Sequence, residues 1–153
     1  MHISVLTTIV KRFVVEDALL APAGRSDERM EKRLAMKLLI VDDNPVVLEA
    51  LSDAVSFFGH EAETAKDGID AVDLLISKRY DVVITDAEMP RLGGIKLCRF
   101  IKTHFPNVRI IGMSGSFASA EFKNAGADVC FSKPICMDQL QDAVENRSHA
   151  LPH

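Results

Sequence analysis

The feature that most constrains the fold is an alternation that fills the chain from Met36 onward. A short apolar run is followed by a segment of helical period, five times over. Leu38-Leu39-Ile40-Val41 is the first run, and it stops at two acids. Asn44-Pro45 then opens a helix, with Asn44 as N-cap and Pro45 at the first helical position. Leu48, Leu51, Val55 and Phe58 recur at spacings of three and four, giving one apolar face, and Gly59 is placed to end it.

The later units follow the same plan. Residues 60–64 read as a weak second strand, and Ile69, Val72 and Ile76 mark a second helix. Val82-Val83-Ile84-Thr85 is a fully apolar third strand, and Ile95, Cys98 and Ile101 mark a third helix. Val108 to Met113 is a fourth strand, followed by a short helical stretch ending at Gly126. Val129-Cys130-Phe131 is the fifth strand, and Leu140 and Val144 face inward on a last helix. Strands alternating with helices predict an α/β fold, a five-stranded parallel sheet with helices on both faces. With right-handed crossovers the doubly wound, flavodoxin-like order 2-1-3-4-5 is the natural one.

Residues 1–35 do not keep this rhythm. Leu6, Ile9, Val10, Phe13 and Val14 fit one face of a helix, and Ala21-Pro22-Ala23-Gly24 reads as a linker. Lys11 and Arg12 follow the apolar run instead of preceding it, which argues against a signal peptide. Met36 directly precedes the first strand and is itself a candidate start. The expected organisation is an N-terminal extension over 1–35, helical or disordered, one domain over 36–148 and a short tail over 149–153.

Bulk properties exclude several classes of function. A net charge of −4 gives no electrostatic reason to expect nucleic-acid binding. No apolar run reaches the length of a membrane span. Cys98, Cys130 and Cys136 contain no C-x-x-C pair and lie in or beside apolar stretches, so they read as buried, reduced thiols of a cytoplasmic protein.

The polar residues that interrupt this pattern collect at one edge. The first strand ends at Asp42-Asp43, the third at Asp86, the fourth at Ser114 and the fifth at Lys133. That is the carboxyl edge of the sheet, which carries the ligand crevice in open α/β folds. Singly, each has a bland explanation as a turn, cap or loop residue; together they require four coincidences on the right strands. Three clustered carboxylates raise one another's pKa, and a bound cation relieves them. An all-oxygen donor set with few protein ligands suits Mg2+. Lys133 offers a compact positive charge and Ser114 a hydroxyl. A carboxylate nucleophile that becomes an aspartyl-phosphate is established chemistry. Cation and lysine would stabilise charge on a transferring phosphoryl group.

These residues resemble the response-regulator receiver domain of two-component signalling, of the chemotaxis-regulator-like kind. The matching text is Leu38 to Asp43, Asp81 to Pro90, Gly93-Gly94, Ile110 to Ser114, and Ala125 to Asp128 leading to Lys133-Pro134, within residues 36–147. The resemblance implies that Asp86 takes a phosphoryl group from a phosphohistidine on a sensor histidine kinase or histidine phosphotransfer protein. It implies Mg2+ on Asp43, Asp86 and the backbone carbonyl of Glu88, with Asp42 acting mostly through water. Ser114 and Lys133 would bond the phosphoryl group, and Lys133-Pro134 would be cis. The expected protein is a phosphorylated signalling switch, not an enzyme, acting by binding a downstream protein or relaying phosphate, with a homodimer among the forms open to it. Only six residues follow Arg147, so it reads as a stand-alone receiver.

Three departures qualify this. Cys130 stands where the family often has Tyr or Phe, three residues before the lysine. The stretch from Ser114 to Gly126 is shorter than usual, which predicts a short fourth helix. Glu88, two residues after Asp86, is expected to alter dephosphorylation kinetics. An unphosphorylated receiver-like adaptor is the alternative reading. A carboxylate-nucleophile phosphatase is a weaker one, because such enzymes place the nucleophile on the first strand with a second aspartate two residues on.

Overall fold

The computed structural model describes residues 35–115 and 118–145. The expected extension over 1–35 (Ala35 apart), with its Leu6–Val14 pattern, and the tail over 149–153 lie outside the described residues. The elements are β1 (Lys37–Val41), α1 (Pro45–Phe57), β2 (Glu61–Ala65), α2 (Gly68–Ser77), β3 (Val82–Asp86), α3 (Gly94–His104), β4 (Arg109–Ser114), α4 (Ser119–Ala125), β5 (Val129–Ser132) and α5 (Met137–Glu145). The five strands are parallel, in the order β2-β1-β3-β4-β5. The strand order and the alternation of elements match the sequence expectation.

Strand periodicity divides the core in two. Leu38 and Ile40 face α1 and α5, in a cluster with Leu51, Val55, Leu140 and Val144. Leu39 and Val41 face the other way, in a cluster with Leu75, Leu97, Ile101 and Phe122 from α2, α3 and α4. The four apolar β1 side chains, Leu38 to Val41, are fully buried, each contributing about 2 kcal/mol of apolar transfer free energy. A central parallel strand covered on both faces has to be apolar throughout. The edge strand β2, with sequence EAETA, is under no such demand.

The caps hold the helices where the sequence placed them. The Asn44 side chain accepts from the Val46 N–H at 2.9 Å, with Pro45 opening α1. Gly126 closes α4 in the left-handed region, at φ +99°. At seven residues, α4 is as short as its sequence predicted.

Two expectations about burial need correction. In α2 the marking residues Ile69 and Ile76 lie outward, 39% and 69% exposed, while Ala71 and Leu75 are buried. Both sets fit a helical period, and the face of Gly68, Ala71 and Leu75 is the one that packs on the core. Among the cysteines, Cys98 is buried as expected, Cys130 is half-buried, and Cys136 is exposed between β5 and α5.

Candidate functional site

Four of the five strand ends, those of β1, β3, β4 and β5, bring polar groups to the carboxyl edge of the sheet. Asp42 follows β1 and is only 1% exposed. One of its carboxylate oxygens accepts from the Asn44 N–H at 2.9 Å and the other from Lys133 Nζ at 3.1 Å. Asp86 is the last residue of β3, paired with Met113 of β4, and is 8% exposed. Lys133 Nζ also lies 3.1 Å from Asp86 Oδ1, so one ammonium bridges the two buried acids. Asp43 is exposed, and its carboxylate completes a cluster whose ligand atoms lie within 4.8 Å of one another. Ser114 ends β4 and is buried. Its carbonyl accepts from the Lys133 N–H at 2.8 Å, which ties the lysine-bearing loop to β4. The Lys133-Pro134 bond is cis, as the family resemblance implied.

Close backbone packing sets Asp86. The Gly94 N–H donates to the Ala87 carbonyl at 2.9 Å, and a Cβ at Gly94 would run into the Asp86 carbonyl oxygen. Only glycine lets the start of α3 come this close. The Thr85 hydroxyl donates to the same Asp86 carbonyl at 3.0 Å.

Electrostatics follow from this crowding. Burial raises the Asp86 carboxyl above the usual carboxylate range; Lys133 opposes that and Asp42 reinforces it. Burial alone would lower the Lys133 ammonium, but its bonds to Asp86 and Asp42 outweigh it and raise it. The mutual repulsion expected from sequence is therefore present at Asp86 but secondary to burial.

Three carboxylates against one ammonium leave an excess of negative charge facing solvent. Among the described residues, Asp42, Asp43 and Asp86 are the group that could hold a metal ion. Their hard oxygen donors fit Mg2+, with open positions for water and phosphate. Asp42 accepts hydrogen bonds on both of its oxygens, and Asp86 accepts from Lys133 and from the Ala87 N–H. The Glu88 side chain is exposed on the loop after β3.

Cys130 pairs with Gly112 across β5 and β4, and its sulfur lies 3.8 Å from the Ser119 hydroxyl at the start of α4. Burial pushes its thiol up.

Sequence reasoning missed Arg91. Its guanidinium binds Asp67 and Asp70, across a gap of 24 residues to Asp67. Lys66-Asp67-Gly68 reads locally as a turn and cap, and nothing near it announces an arginine partner.

The chain matches the family model described as "Response regulator receiver domain" over residues 38–145. It is 34% identical over 110 residues to the "Response regulator MprA" of Mycobacterium sp. (strain KMS), covering 70% of this chain and 48% of that protein. It is 28% identical over 131 residues to the "Sensor histidine kinase RcsC" of Salmonella typhi, covering 84% of this chain and 14% of that protein. The chain thus spans about half the length of the one relative and a small part of the other. Among solved structures it resembles a putative response regulator from Chloroflexus aurantiacus J-10-fl, with TM-score 0.70 and 27% identity over 73% of this chain and 96% of that one. A response regulator receiver domain protein from Clostridium thermocellum gives TM-score 0.68 and 28% identity over 72% and 91%.

Proposed function

The chain belongs to the response regulator receiver domain family, and on that premise we propose that Asp86 is its phosphoacceptor. The donor is a phosphohistidine on a sensor histidine kinase or histidine phosphotransfer protein. The observation that carries this reading is the Lys133 ammonium, 3.1 Å from both Asp42 and Asp86 at the carboxyl edge of the sheet.

Receiver domains generally bind Mg2+ at their acidic pocket, and here Asp43, Asp86 and the Glu88 carbonyl would hold it, with Asp42 linked through water. When bound, the ion would supply positive charge that offsets the charge on the transferring phosphoryl group. An Asp86 oxygen attacks phosphorus, the P–N bond of the phosphohistidine breaks, and the imidazole leaves with the bonding electron pair. Lys133 then turns from Asp86 to a phosphoryl oxygen while keeping its contact with Asp42. Ser114 offers its hydroxyl to a second phosphoryl oxygen. The phosphorylated domain acts by binding a downstream protein or passing the phosphoryl group on.

A second reading, a receiver-shaped adaptor that is never phosphorylated, draws on Cys130 in the usual aromatic position and on the seven-residue α4. One experiment separates them. The protein is incubated with Mg2+ and acetyl phosphate or phosphoramidate and weighed intact. One added phosphoryl mass, absent in Asp86→Asn, is the expected result. No adduct with either donor would overturn the proposal in favour of the adaptor.

A further inference from the structure

One charged cluster lies beside the strand-end site and has no part in it. Arg91 has φ +66°, the left-handed region, uncommon for a residue with a Cβ. Its guanidinium forms a fork on Asp67: Nε to Oδ2 at 2.8 Å and an Nη to Oδ1 at 3.0 Å. The same Nη reaches Asp70 Oδ1 at 3.0 Å. The Asp67 side chain is 5% exposed and that of Arg91 52% exposed, so the fork joins a covered carboxylate to a guanidinium half open to solvent.

Asp67 is itself held in place. It is the N-cap of α2, accepting from the Asp70 N–H at 2.9 Å. Burial opposes its ionisation, but that cap bond and the Arg91 fork together keep its carboxyl below the usual range. A backbone bond runs alongside, from the Gly68 N–H to the Leu92 carbonyl at 3.1 Å. Here too the approach needs glycine, since a Cβ at Gly68 would run into Leu92.

The β2–α2 turn and the β3–α3 loop are therefore joined at two points. The β3–α3 loop leaves Asp86, carries Glu88, and returns at Gly94, whose N–H closes it onto Ala87. Its near end is fixed by that bond and its far end by Arg91. Of its apolar side chains Ala87 is buried and Met89, partly buried, packs against the core, and Arg91 adds a polar tie where the loop turns back. Without the fork, residue 91 is expected to relax toward negative φ, and the loop with it.

We infer that Arg91, clamped on Asp67 and Asp70, is a positioning residue that holds the Ala87–Leu92 loop, and with it the Glu88 carbonyl, in the geometry that a divalent cation at Asp43 and Asp86 requires. The inference rests on the metal-site reading above. It assigns Arg91 no contact with the cation or the phosphoryl group.

Magnesium titration by calorimetry on the full chain tests it, with Arg91→Gln, Arg91→Lys, Asp67→Asn and Asp43→Ala compared. Arg91→Gln is expected to weaken Mg2+ binding about tenfold, as loss of an outer-shell partner does at metal sites. Arg91→Lys recovers part of it, keeping the charge but losing the fork. Asp67→Asn keeps the helix cap and should match Arg91→Gln, with the double variant no worse than either. Native-state hydrogen exchange gives a readout free of metal: the Gly68 amide should exchange faster in Arg91→Gln. Wild-type affinity in Arg91→Gln, with Asp43→Ala abolishing binding, would overturn the inference and leave the metal site standing. Wild-type affinity in Asp43→Ala would bring down the metal site and the inference with it.

Discussion

Replacing Asp86 with Asn is expected to stabilise the metal-free domain and to abolish its response to Mg2+. The Asp86 side chain is 11% exposed, with Lys133 Nζ at 3.1 Å and the Asp42 carboxylate within 4.8 Å. At an effective dielectric near 20, the lysine supplies about 5 kcal/mol of attraction and Asp42 returns about 3.5 kcal/mol of repulsion. Asp43 is exposed and, screened by water, adds about 1 kcal/mol of repulsion. The surplus of attraction is about 0.5 kcal/mol, while withdrawing a carboxylate from water costs several. The balance is thus against the ionised form, in the direction that burial moves its carboxyl. Asparagine keeps the shape, removes the charge, and leaves Lys133 paired with Asp42 at 3.1 Å. A gain of about 1–2 kcal/mol follows, or a Tm higher by roughly 4–8 °C.

The pH dependence has a definite sign. Because the folded-state pKa of Asp86 is raised, its cost is absent below the unfolded value, near about 4, and complete above the folded value. The advantage of Asp86→Asn should therefore be full at neutral pH and shrink toward about pH 4. Thermal melts by far-UV circular dichroism in EDTA across this range measure it. Repeating them with Mg2+ should raise the Tm of the parent by mass action and leave the variant unmoved. A variant no more stable than its parent in EDTA at neutral pH would show that Lys133 outweighs desolvation, and would refute the reasoning.

Other perturbations probe the rest of the molecule. Gly112→Ala puts a Cβ 2.7–2.8 Å from the Phe122 ring, so denaturant titration should find a loss of about 1–3 kcal/mol. In α2, Leu75→Ala should cost about 2–5 kcal/mol, whereas the neighbouring Ile76→Lys should stay within about 0.5 kcal/mol. If Ile76→Lys proved the costlier, the placement of the helix face would be wrong. Iodoacetamide should alkylate exposed Cys136 first and half-buried Cys130 next. Buried Cys98, its thiol pushed up to about 11 by burial, should react only as the protein opens, which peptide mass mapping over time can follow.

The fold was legible because strand runs and helix stripes each obey a local period. Leu38 to Val41 and Val82 to Ile84 are apolar without a break, which a central parallel strand requires. Their acid ends could be assigned to one edge because every parallel strand ends on the same side. Chain direction therefore brings Asp42, Asp43, Asp86, Ser114 and Lys133 to one edge.

Other features have no local signature. In α2, Ile69, Val72 and Ile76 make as good a stripe as Ala71 and Leu75. Only packing against β1, β2 and α3 decides that Ala71 and Leu75 turn inward while Ile69 and Ile76 face out. The exposure of Cys136 depends on how the chain turns from β5 into α5. The double engagement of Lys133 needs Asp42, 91 positions away, delivered by another strand. The clamp of Arg91 on Asp67 likewise joins two loops that sequence reads separately. By itself, then, the sequence determined the order of strands and the kind of chemistry at their ends, because both follow from periodicity and chain direction. Tertiary structure alone decided which charge pairs with which and which helix face is dry, because those depend on distances between segments far apart in the chain.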